Sequence, residues 1–185
     1  YSDLLLFEAD LGYITSAIVI FLEAPGSIAE LGAFSQIESL KDRLVIVVVD
    51  DMHPKKSFIS LGPLRQLEEK DKDSVCVIPA LHPTELLNDI DVVNAAIHKK
   101  MAGNKTKRAF NPNEIQHQFA LAIDLISFIE VATFTDLKQL FEFFRVVVND
   151  HRILQILFTL EKSGLVQKRR YGGNFFYGPL TRGLK

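Results

Sequence analysis

The sequence predicts an open parallel α/β sheet followed by a smaller helical unit that ends in a hairpin. Three observations carry that prediction. Short β-branched apolar runs alternate with helix-like spacings through the first half, the sign of the charge reverses near residue 98, and a Gly-Gly pair separates two strand-like segments near the end. With 185 residues, 48% of them apolar and 24% charged, the chain holds material for one medium domain or two small ones and is too apolar to be disordered. Residues 1–97 carry 16 acidic and 7 basic groups, and residues 98–185 carry 7 and 14, so a polyanionic partner is expected on the second half.

The elements follow in order. Residues 1–11 are apolar at 4, 5, 7 and 11, a helical spacing. Ala17-Ile-Val-Ile-Phe-Leu-Glu23 is apolar on both faces, as a buried parallel strand must be. A turn at 24–27, a helix over 28–41 and a second buried strand, Leu44-Val-Ile-Val-Val-Val49, come next. A loop at 50–56, a short helix over 62–69, the strand Val75-Cys-Val-Ile78 and a helix over 83–99 complete this half. Alternating strand and helix implies parallel strands with covering helices. Three strands are few for such a sheet, and because the sequence opens on a helix, one or two strands are expected to precede it. Residues 98–108 hold five Lys/Arg and no acid, which reads as a linker or a fraying helix end.

Ligands of open α/β sheets sit beyond the carboxyl ends of the strands, so the segments after Glu23 and Val49 are where chemistry is expected. The first reads Glu23-Ala-Pro-Gly-Ser-Ile-Ala-Glu30-Leu-Gly32. Gly26 lets backbone approach a ligand, Ser27 can cap the next helix, and Glu30 would lie in the first turn, where free N–H groups hold a carboxylate ionised. Two readings of Glu30 stand side by side. One is a nucleophile poised at the sheet edge; the other is a capping box, Ser27-x-x-Glu30, in which the glutamate only bonds back to the cap. Gly32, costly inside a helix by about 1 kcal/mol, favours a need for packing or access.

The run Pro25-Gly-Ser-Ile-Ala-Glu30-Leu-Gly-Ala-Phe34 resembles the signature of the nucleoside 2-deoxyribosyltransferase-like fold. With Lys56-Ser-Phe-Ile-Ser-Leu-Gly-Pro-Leu-Arg65, about 30 residues further on, it is similar to one branch of that fold, the effector proteins encoded beside bacterial retrons. The resemblance implies that Glu30 attacks the anomeric carbon of a ribosyl group and that an N-glycosidic bond of NAD or a related nucleotide is cleaved. It implies Ser57 and Arg65 as substrate contacts, Arg65 holding a phosphate, with a surface ion pair to Glu68 or Glu69 as the alternative. Gly26, Ser27 and Asp50 complete the expected substrate set. Asp50 and Asp51 could touch a ribose hydroxyl or serve turn chemistry. Glu8 and Asp10 lie where the family often has an acidic residue, or are simply solvated. The expected partners are a retron reverse transcriptase and its multicopy single-stranded DNA (msDNA), a DNA–RNA hybrid, which restrain a toxic activity until phage infection.

The second half shows a helix from Pro112 and Asn113 to 129, a second over 136–146 capped by Thr135, and a third over 150–162 capped by Asn149. Gly164 stops the third, and Gly172-Gly173 turns a hairpin between residues 165–171 and 174–180. Three helices and then a hairpin is winged-helix order, and Leu160-Glu-Lys-Ser-Gly-Leu-Val166 resembles the usual ending of that family. Arg152, Lys168, Arg169 and Arg170 are the expected nucleic-acid contacts, to phosphates rather than bases, because the third helix is largely apolar; a protein contact and a merely solvated basic hairpin are the alternatives. The domain reading is therefore 1–100 catalytic, 101–111 linker and 112–185 winged helix. The alternative is a DNA-binding regulator whose α/β half senses a nucleotide without turnover.

Several classes are excluded. The longest apolar runs are six residues, far short of the about 20 that a spanning helix needs, so no membrane segment is expected. The scattered histidines and the single Cys76 suggest no metal site, and one cysteine fits a reducing, cytoplasmic setting. No cofactor is expected, and oligomeric state is left open.

Overall fold

The computed structural model describes residues 1–50, 57–79, 83–103 and 109–180, without the side chains of 83–86. The chain forms two compact units, residues 15–107 and, separately, residues 1–14 with 108–185.

The α/β unit is built on β1 (Ile18–Phe21), β2 (Leu44–Val49) and β3 (Val75–Ile78), which pair in parallel in the order β1-β2-β3. The central strand β2 is buried from Leu44 to Val48, which is why its run of β-branched residues is unbroken by polar ones. The first crossover carries α2 (Pro25–Phe34) and α3 (Glu38–Lys41), where the sequence predicted a single helix over 28–41. The second crossover passes through a π-helical turn, Ser60–Leu64, into α4 (Arg65–Lys70). Pro63 explains that turn, because it has no N–H and its ring clashes with the carbonyl four residues back unless the helix widens.

Helix α5 (Pro83–Gly103) covers β2 and β3 and runs four residues beyond its expected end. Its last turns are tied down by ion pairs. Lys100 is buried and donates to Asp71 at 2.7 Å and to Ser74 at 2.7 Å, and Lys99 pairs with Asp73. Burial pushes the Asp71 carboxyl up, but the Lys100 ammonium and the Asp73 backbone N–H hold it below the usual range. Lys99 and Lys100, in the stretch that reads as a linker or a fraying helix end, thus belong to the α/β unit, as the domain reading of 1–100 has them. Residues 104–108 of that linker lie outside the described residues, as does Asp51.

The second unit holds α1 (Leu4–Ile14), α6 (Ile115–Ile129), β4 (Ala132–Thr133), α7 (Phe134–Phe143), α8 (Asp150–Lys162), β5 (Val166–Tyr171) and β6 (Asn174–Pro179). Its sheet is antiparallel in the order β4-β6-β5, and its core joins Phe119 and Ile126 of α6, Leu137 and Phe141 of α7 and Ile153, Ile156 and Leu160 of α8. Two capping details fix the helix starts. Thr133, rather than the expected Thr135, accepts from the Asp136 N–H at 3.2 Å while Asp136 accepts from the Thr133 N–H at 2.8 Å. Asn149 caps α8 as expected, accepting from the Arg152 N–H at 2.8 Å. Gly172 and Gly173, at φ 55° and 88°, form the two-residue turn that L side chains resist.

Helix α1 is the main departure from the expected division at residues 100–112. It packs on α6 and α8. Its sequence neighbours belong to the sheet, but its one fully buried acid, Asp10, finds its cation on Arg152. Among the described residues, no helix is long and apolar enough to cross a membrane.

Candidate functional site

The geometry around Glu30 follows from where α2 begins. The chain leaves β1 at Phe21 and enters α2 at Pro25, a favoured first helical residue, so Ala24 is the cap position and Ser27 lies inside the first turn. The Ser27 hydroxyl reaches back, accepting from the Glu23 and Ala24 N–H groups, each at 3.3 Å, and donating to the Ala24 carbonyl at 2.9 Å. Ser27 is therefore spent on the loop, and the expected capping box with Glu30 is absent. Glu30 is the sixth helical residue, in the second turn rather than the first.

Glu30 is half-buried, and among the described residues nothing donates to it. A helical side chain leans toward the N-terminus of its helix, and the N-terminus of α2 lies just past the carboxyl end of β1. One turn before Glu30 stands Gly26, which is exposed, and among the described residues a Cβ built there would meet nothing within 4 Å.

Asp50 ends β2 on the same sheet edge, its N–H donating to the Ile78 carbonyl at 2.9 Å and its side chain exposed. The second motif behaves differently. Ser57 and Ser60 cap each other, the Ser60 N–H donating to Ser57 Oγ at 3.2 Å and the Ser57 N–H to Ser60 Oγ at 3.0 Å. Arg65 follows Ser57 by eight residues, a path of about 12 Å along a helix. Its Nε donates to Glu69 Oε1 at 2.8 Å with both side chains 64% exposed, the ion pair that stood as the alternative to phosphate binding. The structure thus brings Gly26, Glu30 and Asp50 to the carboxyl edge and gives Ser57 and Arg65 local duties.

In the second unit, the four basic residues expected to meet nucleic acid separate into three situations. Arg152 sits in the first turn of α8, where the helix dipole disfavours a cation, and it is held there by Asp10. Its Nη1 and Nη2 donate to the two Asp10 oxygens at 2.6 and 2.8 Å. Asp10 also accepts from the Tyr1 hydroxyl, which lies 2.7 Å from Thr159 Oγ1. Burial and the hydrogen bond to Asp10 push the Tyr1 phenol well above its ordinary pKa. Burial works against the Arg152 charge, but the Asp10 carboxylate outweighs it and the net shift is upward. Arg152 is thus structural, and Asp10, expected either as the family's acidic residue on the first helix or as a solvated one, is its counterion.

The hairpin register divides the other three. Lys168 and Arg170 lie opposite Tyr177 and Phe175 and share their face, whereas Arg169 lies opposite Phe176 on the other face. Lys168 Nζ stands 4.2 Å from the Phe175 ring centroid, and the Arg170 guanidinium carbon 5.9 Å from it. Arg169 donates to Gln167 Oε1 at 3.0 Å. This split is readable from strand alternation, a signal that the run Lys168-Arg-Arg170 conceals when read as one patch.

Together these features define a class: a parallel α/β unit with a half-buried carboxylate near the carboxyl edge of its sheet that has no donor among the described residues, in one chain with a helix-and-hairpin unit that presents cations beside aromatic rings. A family model described as "STM3845 retron effector protein" matches residues 1–168. The chain belongs to this retron effector family. It is similar to "Retron Ec86 putative ribosyltransferase/DNA-binding protein" of Escherichia coli, 28% identical over 179 residues, 91% of this chain and 57% of that protein. It is also similar to "Retron Ec73 putative ribosyltransferase/DNA-binding protein" of Escherichia coli, 38% identical over 72 residues, 39% of this chain and 23% of that protein. The chain spans little more than half of the first relative and under a quarter of the second.

Proposed function

We propose that this retron effector chain acts in anti-phage defence by cleaving the N-glycosidic bond of NAD or a related nucleotide, with Glu30 as nucleophile. The observation that carries the reading is the Glu30 carboxylate, half-buried in α2 just past the carboxyl end of β1 and without a donor among the described residues. The names of the two relatives, which pair ribosyltransferase with DNA-binding, support both halves of it.

The chemistry asks little else of the protein. As the C1′–N bond breaks, its electron pair passes to the nicotinamide ring, whose positive charge is cancelled, so this leaving group needs no proton. Positive charge grows on the ribosyl carbon, and an anionic carboxylate stabilises it and then closes on C1′ as a glycosyl ester. Water attacks the ester to release ribosyl product and restore Glu30. Asp50, exposed at the end of β2, is placed for a ribose hydroxyl.

Nicotinamide or base release from NAD and free nucleosides tests this, measured on the chain alone and with its reverse transcriptase and msDNA. Turnover supports the glycosidase. Saturable nucleotide binding without release in any of these assemblies supports a nucleotide-sensing DNA-binding regulator instead. Gly26→Leu provides a second check. It adds a bulky side chain one helical turn before Glu30 while replacing a poor helix former, so stability is expected to rise by about 0.5 kcal/mol or stay level. Turnover is expected to fall by more than about a hundredfold through lost access and positioning. Retained turnover would remove Gly26 from the site.

The second unit is read as a winged helix that contacts the phosphates of the retron's own nucleic acid. Lys168 and Arg170 act together on one face, so replacing both by Gln is expected to flatten the log K against log salt slope by about two units. Arg169→Gln, on the opposite face, is expected to change it by less. Titration at several salt concentrations distinguishes them, and equal effects would contradict the face assignment.

A further inference from the structure

We infer that the hollow between α8 and the hairpin receives one unpaired nucleobase of a single-stranded nucleic acid, with Lys168 and Arg170 on the adjoining phosphates. The inference rests on the nucleic-acid reading of this unit and narrows it to one strand form. The hollow measures about 260 Å3 and is lined by Tyr1, His151, Leu154, Phe158, Lys168 and Tyr177, among others. It is smaller than cavities for drug-sized ligands, which start at about 300 Å3, and suits a single planar ring system.

Its walls favour the face of a base. α8 buries Ile153, Ile156, Leu157 and Leu160 but leaves Leu154 at 49% and Phe158 at 37% exposure, one turn apart on the hollow side. A helix face meant for water carries polar residues there. Cations stand over the exposed rings: Lys162 Nζ is 5.4 Å from the Phe158 centroid and Lys168 Nζ 4.2 Å from that of Phe175. Rings for base faces interleaved with ammonium groups for the backbone is the chemistry of single-strand binding. Glu161 lies on the same rim, but its 4.0 Å contact with Lys168 is long enough to yield to a phosphate.

The test uses fluorescence anisotropy at fixed salt with three DNA probes of about twelve nucleotides, a length within single-strand site sizes. They are a single strand, the same strand with every base removed, and a blunt duplex. The single strand is expected to bind at least about tenfold tighter than either of the others, and Phe158→Leu is expected to reduce that ratio of single-strand to abasic-strand affinity to near one. Independently of any variant, 2-aminopurine in the single strand is expected to be quenched by the unaltered protein. Equal binding of the abasic strand, tighter binding of the duplex, or unquenched 2-aminopurine would overturn the inference while leaving salt-dependent phosphate contact standing. No binding of any probe would remove both readings.

Discussion

Arg152→Ala is expected to destabilise the second unit by about 3–5 kcal/mol, the cost of stranding a buried charge. Asp10 is fully buried, and Arg152 supplies a bidentate pair to it across 142 residues of chain. Without the guanidinium, the carboxylate keeps only the Tyr1 hydroxyl among its described partners. Arg152→Lys is expected to recover part of the loss, since an ammonium cannot make two parallel bonds in that plane. Replacing both residues with apolar ones of similar size is expected to cost much less than either single change, because the damage lies in the orphaned charge. Urea unfolding of the two single variants and the double variant gives the coupling directly. A small effect of Arg152→Ala on stability, accompanied by a large loss of nucleic-acid affinity, would return Arg152 to the binding surface. The raised Tyr1 pKa adds a sign: its stabilisation is full below about pH 10 and fades as pH rises above the unfolded-state value.

The second large effect falls on the chemistry. Glu30→Gln preserves shape and removes the charge that attacks C1′, so turnover is expected to fall by at least about a thousandfold. Stability is expected to stay within about 0.5 kcal/mol, because the half-buried carboxylate has no hydrogen bond to lose among the described residues. Glu23→Gln serves as the control. Glu23 is an exposed acid at the same sheet edge, so its loss is expected to leave turnover nearly intact. Equal losses in the two variants would assign the effect to local charge rather than to a nucleophile.

How much of this is legible in the sequence depends on the range of the interaction. β2 and β3 match their predicted bounds because each is a short apolar run rich in β-branched residues and bounded by polar residues or proline, which suits a strand of a parallel sheet. Asn149, Gly164 and Gly172-Gly173 are legible because caps and turns are decided within a few residues. The start of α2 is misjudged by three residues because Pro25 and Ser27 are both good N-terminal signals. Proline takes the first helical position while the serine hydroxyl serves the loop behind it. That small shift decides whether Glu30 is a cap or a free carboxylate. The partner of α1 is not legible at all. A helix next to a strand in sequence looks like part of its sheet, and nothing local announces that Asp10 meets Arg152.

The central claim is a covalent bond between Glu30 and a ribosyl carbon. It is tested most directly by intact-mass and peptide mapping after rapid quench of the assembled effector with a 2′-fluorinated NAD analogue, whose electron-withdrawing fluorine slows hydrolysis of the ester. The account predicts one added 2-fluoro-ADP-ribosyl group, located on the peptide that contains Glu30 and absent from Glu30→Gln. Nicotinamide release with no adduct, or an adduct on any other residue, would contradict it.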